Sequence, residues 1–189
     1  ARSRDGSQHS AKTVMRAAEA RRLRGIVGPV STVLTVSPGW EVAIETALGY
    51  ALQNIVVEDE NAAKAAMAYL RSERAGRATF LPLDTVRPAR FDAARLPAGA
   101  RLASSLVQAD DRYAHIVSNL LGRIVVVDDI NTASRVAKEL DYRNRVVTAD
   151  GQVINAGGSF TGGSVSRSAG LFSRKQEIDE LKAKLARLE

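Results

Sequence analysis

One short pattern occurs twice in this chain. Ile55-Val56-Val57 leads into Glu58-Asp59-Glu60-Asn61-Ala62, and the run from Ile124 to Val127 leads into Asp128-Asp129-Ile130-Asn131-Thr132-Ala133. Each copy is a β-branched run of buried-strand length, then acidic residues, then an asparagine opening a helical pattern. Upstream, Leu48-Gly49 and Leu121-Gly122 each close another stretch with helical spacing. From glycine to asparagine is 12 residues in the first copy and nine in the second. A repeat of this kind restricts the chain to two related α/β lobes, a weak internal duplication. Asn61 and Asn131 are the expected N-caps. The acidic clusters read as turns and first helical turns, where negative charge is favoured, rather than as metal or acid–base pairs.

Other segments fill in the lobes. Val30 to Val36 is apolar, Trp40 to Leu52 has helical spacing, and an alanine-rich helix is expected from Asn61 to Arg74. Thr79 to Leu83 reads as a strand ended by Pro82. Arg87 to Ala100, with Pro88 and Pro97, reads as a connecting loop. Tyr113 to Leu121 reads as a helix, within which His115 is structural rather than a base. Arg145 to Thr148 and Gln152 to Ile154 flank Asp150-Gly151, the signal of a hairpin with a two-residue turn.

Helices are expected at both ends. Ala11 to Leu23 has a weak apolar stripe (Val14, Ala18, with Met15) and Gly25 as its C-cap. Leu171 to Glu189 carries Ile178, Leu181, Leu185 and Leu188 at spacings of 3, 4 and 3, an a/d seam. Two heptads are too few to be stable alone. The two end helices therefore read as the strands of one antiparallel coiled coil.

Charge is placed unevenly along the 189 residues. Residues 1–24 hold seven basic side chains against two acidic ones, residues 25–164 hold 14 against 15, and residues 165–189 hold six against four. Basic arms suit contact with phosphates, through release of condensed counterions, or are simply solvated helix faces; charge alone leaves both open. No cysteine is present, which excludes disulfides, thiolate zinc sites and cysteine nucleophiles, and two histidines do not make a histidine-rich metal site. No apolar run reaches the roughly 18 residues of a membrane helix, and no signal peptide is visible. The expectation is a soluble, intracellular chain that is not itself an enzyme.

The segment Gly157-Gly158-Ser159-Phe160-Thr161-Gly162-Gly163-Ser164 has three readings. Gly158 and Gly163 have the outer spacing of a P-loop, but Ser164 and Val165 stand where its Lys and Ser/Thr belong. A flexible linker fits poorly with Phe160 and with the preceding strand. The favoured reading is a strand edge approached closely by another backbone, which only glycine permits. There is no Gly-x-Ser-x-Gly elbow.

The order Gly25-Ile26-Val27-Gly28-Pro29-Val30, Ala43-Ile44-Glu45, Ala47-Leu48-Gly49, Leu52-Gln53-Asn54-Ile55-Val56-Val57, Ala78-Thr79-Phe80-Leu81-Pro82-Leu83 and Leu121-Gly122 resembles the hinge domain of SMC (structural maintenance of chromosomes) proteins, bacterial ones most. Asp150-Gly151 and the glycine segment complete the series over about residues 25–165. The resemblance implies an α/β (α+β) fold of two pseudo-repeated lobes, at about 25–86 and 100–165, between coiled-coil stubs at 1–24 and 166–189. It implies homodimerisation through Gly157, Gly158, Gly162 and Gly163, and DNA contact without sequence preference near the coiled-coil exit. The basic collar candidates are Arg21, Arg22, Arg24, Arg167, Arg174 and Lys175. It also implies a role in chromosome condensation and segregation, in the cytoplasm on the nucleoid. The family's ATPase heads and kleisin contacts lie elsewhere in the full-length protein, so no cofactor is expected in this piece. A zinc hook of the Rad50 kind would need cysteines. The alternatives are a hinge that pairs with a different chain, as in eukaryotic members, and a nucleotide-binding α/β enzyme.

Overall fold

The computed structural model describes residues 2–164 and 171–188. In chain order the first half carries α1 (Arg2–Glu19), β1 (Ile26–Pro29), the single turn α2 (Val30–Val33), β2 (Thr35–Val36), α3 (Glu41–Leu48), β3 (Ile55–Val57), α4 (Glu60–Ser72) and β4 (Phe80–Pro82). The second half carries β5 (Arg101–Leu102), β6 (Val107–Gln108), α5 (Ala114–Leu121), β7 (Val125–Val127), α6 (Ile130–Glu139), β8 (Val146–Thr148), β9 (Val153–Ile154), β10 (Phe160–Thr161) and α7 (Leu171–Leu188). No helix among the described residues is long and apolar enough to cross a membrane.

The chain divides into two compact units. The first comprises residues 1–34, 48–89 and 109–120, and the second 35–47, 90–108 and 121–189. The units are therefore not contiguous stretches. The cause lies in long-range pairing: β2 bonds to β6 (Thr35↔Gln108, Val36↔Val107), which commits an early segment to the second unit.

Within each unit the repeat is realised strand for strand. β3 runs antiparallel to β1 and parallel to β4. β7 likewise runs antiparallel to β5 and parallel to β8. Matching backbone bonds recur: Val30 N to Asn54 O (2.8 Å) answers Ala103 N to Ile124 O (2.8 Å), and Ile55 N to Thr79 O (2.9 Å) answers Val125 N to Arg145 O (3.0 Å). The β-branched triplets are fully enclosed, each covered by the helix that follows it. In the first unit α1 joins α4 over the sheet, burying Ala11, Val14 and Ala17 with Ile55, Val57, Ala66 and Leu70. That stripe replaces the expected Val14, Ala18 and Met15, because Ala18 and Met15 are only half-buried. In the second unit Val125, Val127, Val146 and Ile154 pack with Ala133, Val136 and Ala137.

Two local expectations shift. The N-caps are Asp59 and Asp129, not Asn61 and Asn131: Asp59 Oδ1 accepts from Ala62 N (2.8 Å) and Asp129 Oδ1 from Thr132 N (2.7 Å). The strands end so abruptly at Val57 and Val127 that the second following residue already takes the extended cap conformation. Donation from the Thr132 backbone and hydroxyl holds the Asp129 carboxyl below its ordinary pKa. The first helix is closed by Arg21, not Gly25. Arg21 has φ +60, with Arg22 N bonded to Ala17 O (2.8 Å) and Arg21 N to Ala18 O (3.0 Å), the paired bonds of a Schellman end. α4 ends the same way at Arg74 (φ +49) and α6 at Asp141 (φ +55).

Candidate dimer interface and basic surfaces

The second unit's sheet runs β10-β9-β8-β7-β5. The hairpin that builds this edge has a three-residue loop, Ala149-Asp150-Gly151, rather than two residues. Thr148 N bonds Gln152 O (2.9 Å) and Gly151 N bonds Thr148 O (3.0 Å). The Thr148 hydroxyl contacts the Asp150 carboxylate and accepts from Gln152 N, which fixes the longer loop. β10 then folds back on β9 with Phe160 opposite Ile154 and Thr161 opposite Val153. Val153 and Ile154 are buried, whereas Phe160 is 62% exposed. The outer ladder of β10 has no partner strand among the described residues, the usual condition for pairing with another chain.

The four glycines differ in what they permit. At Gly157 (φ +92) and Gly163 a Cβ would meet nothing within 4 Å. At Gly158 it would stand 3.6 Å from the Tyr142 ring. At Gly162 it would run into the Gln152 side chain. That side chain grips the next residue at both ends, accepting from Gly163 N (2.9 Å) and donating to Gly163 O (3.0 Å). A side chain at Gly162 would thus displace the Gln152 clamp, while Gly157 faces open space. Sequence reasoning missed Gln152, because its role depends on a register visible only in three dimensions. Phe160 was noted only as an interruption; its exposure on an edge strand is what makes it a contact candidate.

Of the basic candidates, Arg21, Arg22 and Arg24 are exposed around the end of α1 and form no ion pair among the described residues. Positive charge there also suits the helix C-terminus. Arg174 and Lys175 fall on α7, and Arg167 lies outside the described residues. The seam residues of α7, Ile178, Leu181, Leu185 and Leu188, are all exposed. The acidic clusters gather no set of three or more metal-binding side chains among the described residues.

Within the second unit, α3 is tied to Arg145, the residue before β8, by one set of contacts and to the start of α7 by another. The Arg145 guanidinium donates to Ala47 O (2.9 Å) and Thr46 O (3.2 Å), carbonyls of the last turn of α3; burial lowers its pKa. From the same helix, buried Glu45 accepts from Phe172 N at 2.6 Å, in the first turn of α7. The Phe172 side chain is 3% exposed.

Residues 23–137 match the family model of the flexible hinge domain of SMC proteins, which is more than half of the chain. The chain belongs to the SMC hinge family. Its α+β architecture is the hinge fold: the hinge domain of Geobacillus stearothermophilus SMC, solved as an asymmetric dimer, is 40% identical with a TM-score of 0.85 over 95% of this chain and 74% of that one. The Pyrococcus furiosus SMC hinge is 30% identical with a TM-score of 0.66, covering 84% of this chain and 90% of that one. Among full-length relatives, the chromosome partition protein Smc of Bacillus subtilis is 38% identical over 97% of this chain, and that of Desulfitobacterium hafniense 41% over 83%. This hinge spans only 16% and 14% of the length of those two relatives.

Proposed function

We propose that this hinge pairs with a second copy of itself through the β10 edge and the flanking glycines Gly157, Gly158, Gly162 and Gly163, so joining two coiled-coil arms of a chromosome partition protein. The observation that carries the reading is the open β10 edge with an exposed phenylalanine between two glycine pairs. Backbone ladders plus one aromatic anchor are a familiar basis for strand-to-strand association. The exposed a/d seam of α7 is suited to a helical partner, and the arms, not catalysis, transmit what the hinge does. No cofactor enters this role. Arg21, Arg22, Arg24, Arg167, Arg174 and Lys175 are the basic residues assigned to DNA phosphates in this reading, without sequence preference. The setting is the cytoplasm, on the nucleoid; ATPase heads and kleisin contacts belong to the rest of the full-length protein.

The test uses two variants. Gly157→Asn places at φ +92 a residue that tolerates positive φ better than most and projects only into open space, so it blocks a second backbone at a backbone strain of about 1 kcal/mol. Phe160→Asp removes the anchor and adds a charge. Both are expected to give folded monomers by sedimentation and circular dichroism. Folded variants that still sediment as dimers would remove the interface from this segment.

A further inference from the structure

In each repeat, a cleft opens beside the residues that precede the two parallel strands. In the first unit it measures about 310 Å³ and is lined by Tyr50, Gln53, Asn54, Arg77, Ala78 and Thr79. In the second it measures about 720 Å³, and five arginines line it: Arg90, Arg95, Arg123, Arg143 and Arg145. The strand registers place Gln53 against Arg123, Arg77 against Arg143 and Thr79 against Arg145. The fold therefore does not require this charge, since the sister cleft is built at the same place with a single arginine.

The cations are also not used up internally. Of the three carboxylates on the rim, Asp92 caps Ala94 N, Glu139 is held by Arg135 at 3.3 Å, and Asp141 stands 3.8 Å from Arg143. Arg145 is spent on the carbonyls of α3. Arg123 gives only its Nε, to Arg90 O (3.1 Å), which holds the 90–95 loop over the cleft and leaves its outer nitrogens open. The side chains of Arg90 and Arg95 form no hydrogen bond or ion pair among the described residues. Like charges gathered with open donors are costly unless an anion shares the site. Planar guanidinium forks are suited to phosphate oxygens above other anions.

We infer that this cleft binds phosphate, with Arg90, Arg95 and Arg123 as the contacting groups, and that its ligand is the phosphodiester backbone of a nucleic-acid strand. It shares no residue with the proposed basic collar. The choice of a polymer over a small phosphate rests on the proposed DNA contact of the hinge.

The experiment titrates the whole chain into a fluorescein-labelled 20-nucleotide single strand and into the matching duplex, by anisotropy at several salt concentrations, with inorganic tripolyphosphate as a small-anion arm. Arg90→Gln/Arg95→Gln is expected to weaken nucleic-acid binding about tenfold and to reduce the log–log salt slope by about 1.5 to 2. Arg95→Glu alone should act in the same direction, and it disturbs no internal bond. Arg22→Gln/Arg24→Gln reports separately on the collar. Cleft variants that keep the parent's affinity and salt slope would overturn the inference, even where the collar variant loses binding. If the parent binds tripolyphosphate but no nucleic acid, and the cleft variants lose that binding, the phosphate site stands, while the polymer and the proposed DNA contact both fall. A parent that binds neither overturns both.

Discussion

Glu45 and Phe172 should be energetically coupled. Phe172 N donates to buried Glu45 at 2.6 Å, and Phe172 is itself 3% exposed. Truncating a buried phenylalanine costs about 3–5 kcal/mol. Glu45→Ala leaves the Phe172 N–H enclosed without its acceptor, a loss of about 1–3 kcal/mol for a buried donor left unsatisfied. Glu45→Gln retains a carbonyl acceptor and should lose under half of that. The two losses overlap, because the first turn of α7 is held by both the side chain and the bond. In a double-mutant cycle the pair should therefore cost at least about 1 kcal/mol less than the sum of the single changes. Two measurements read this out: urea denaturation for the whole fold, and hydrogen exchange at the Phe172 amide for the local attachment. Glu45→Ala should lower protection of that amide by about 5- to 150-fold, the equivalent of about 1–3 kcal/mol. Single changes that add within about 0.5 kcal/mol, with unchanged Phe172 protection, would show that α7 is not held through Glu45.

Three other outcomes follow from local geometry. Arg74→Gly should stabilise the chain by about 1 kcal/mol in urea, since a positive-φ helix end is strained for arginine and free for glycine. Gly25→Ala should cost about 2–3 kcal/mol, because the new Cβ would stand 2.9 Å from Ala62 Cβ at φ +74; Gly39→Ala, with nothing within 4 Å of its Cβ, should cost only the backbone strain of about 1 kcal/mol. The Asp129 carboxyl titrates below the ordinary aspartate value of 3.8 in the folded chain, so its contribution is complete above that pH and fades as pH falls through the lower native value. The urea midpoint of the native chain should therefore fall more from pH 5 to pH 3 than that of Asp129→Asn, whose cap does not titrate; equal falls would contradict the assignment.

Much of the fold was readable because it rests on local chemistry. Ile55–Val57 and the run ending at Val127 announce themselves by β-branching, and the seam of α7 by its spacing. The caps were read two residues late, since Asp and Asn are both good caps and only the end of the strand decides between them. The interleaving of the units was invisible: two-residue strands such as Thr35–Val36 have no periodicity, and their partner lies more than 70 residues away. The same holds for the arginine cleft, whose walls come from the 90–95 loop, Arg123 and residues 139–145. The glycine segment was legible as a strand edge. That Gly162 answers to Gln152 was not, because a side-chain clamp across two strands leaves no pattern in the sequence.

Sedimentation equilibrium of this chain at micromolar concentration, beside its Phe160→Asp variant, tests the central claim most directly. A mass near twice 20.3 kDa is expected for the chain and 20.3 kDa for the folded variant. A chain that sediments at 20.3 kDa by itself, or a variant that remains a dimer, would contradict that claim.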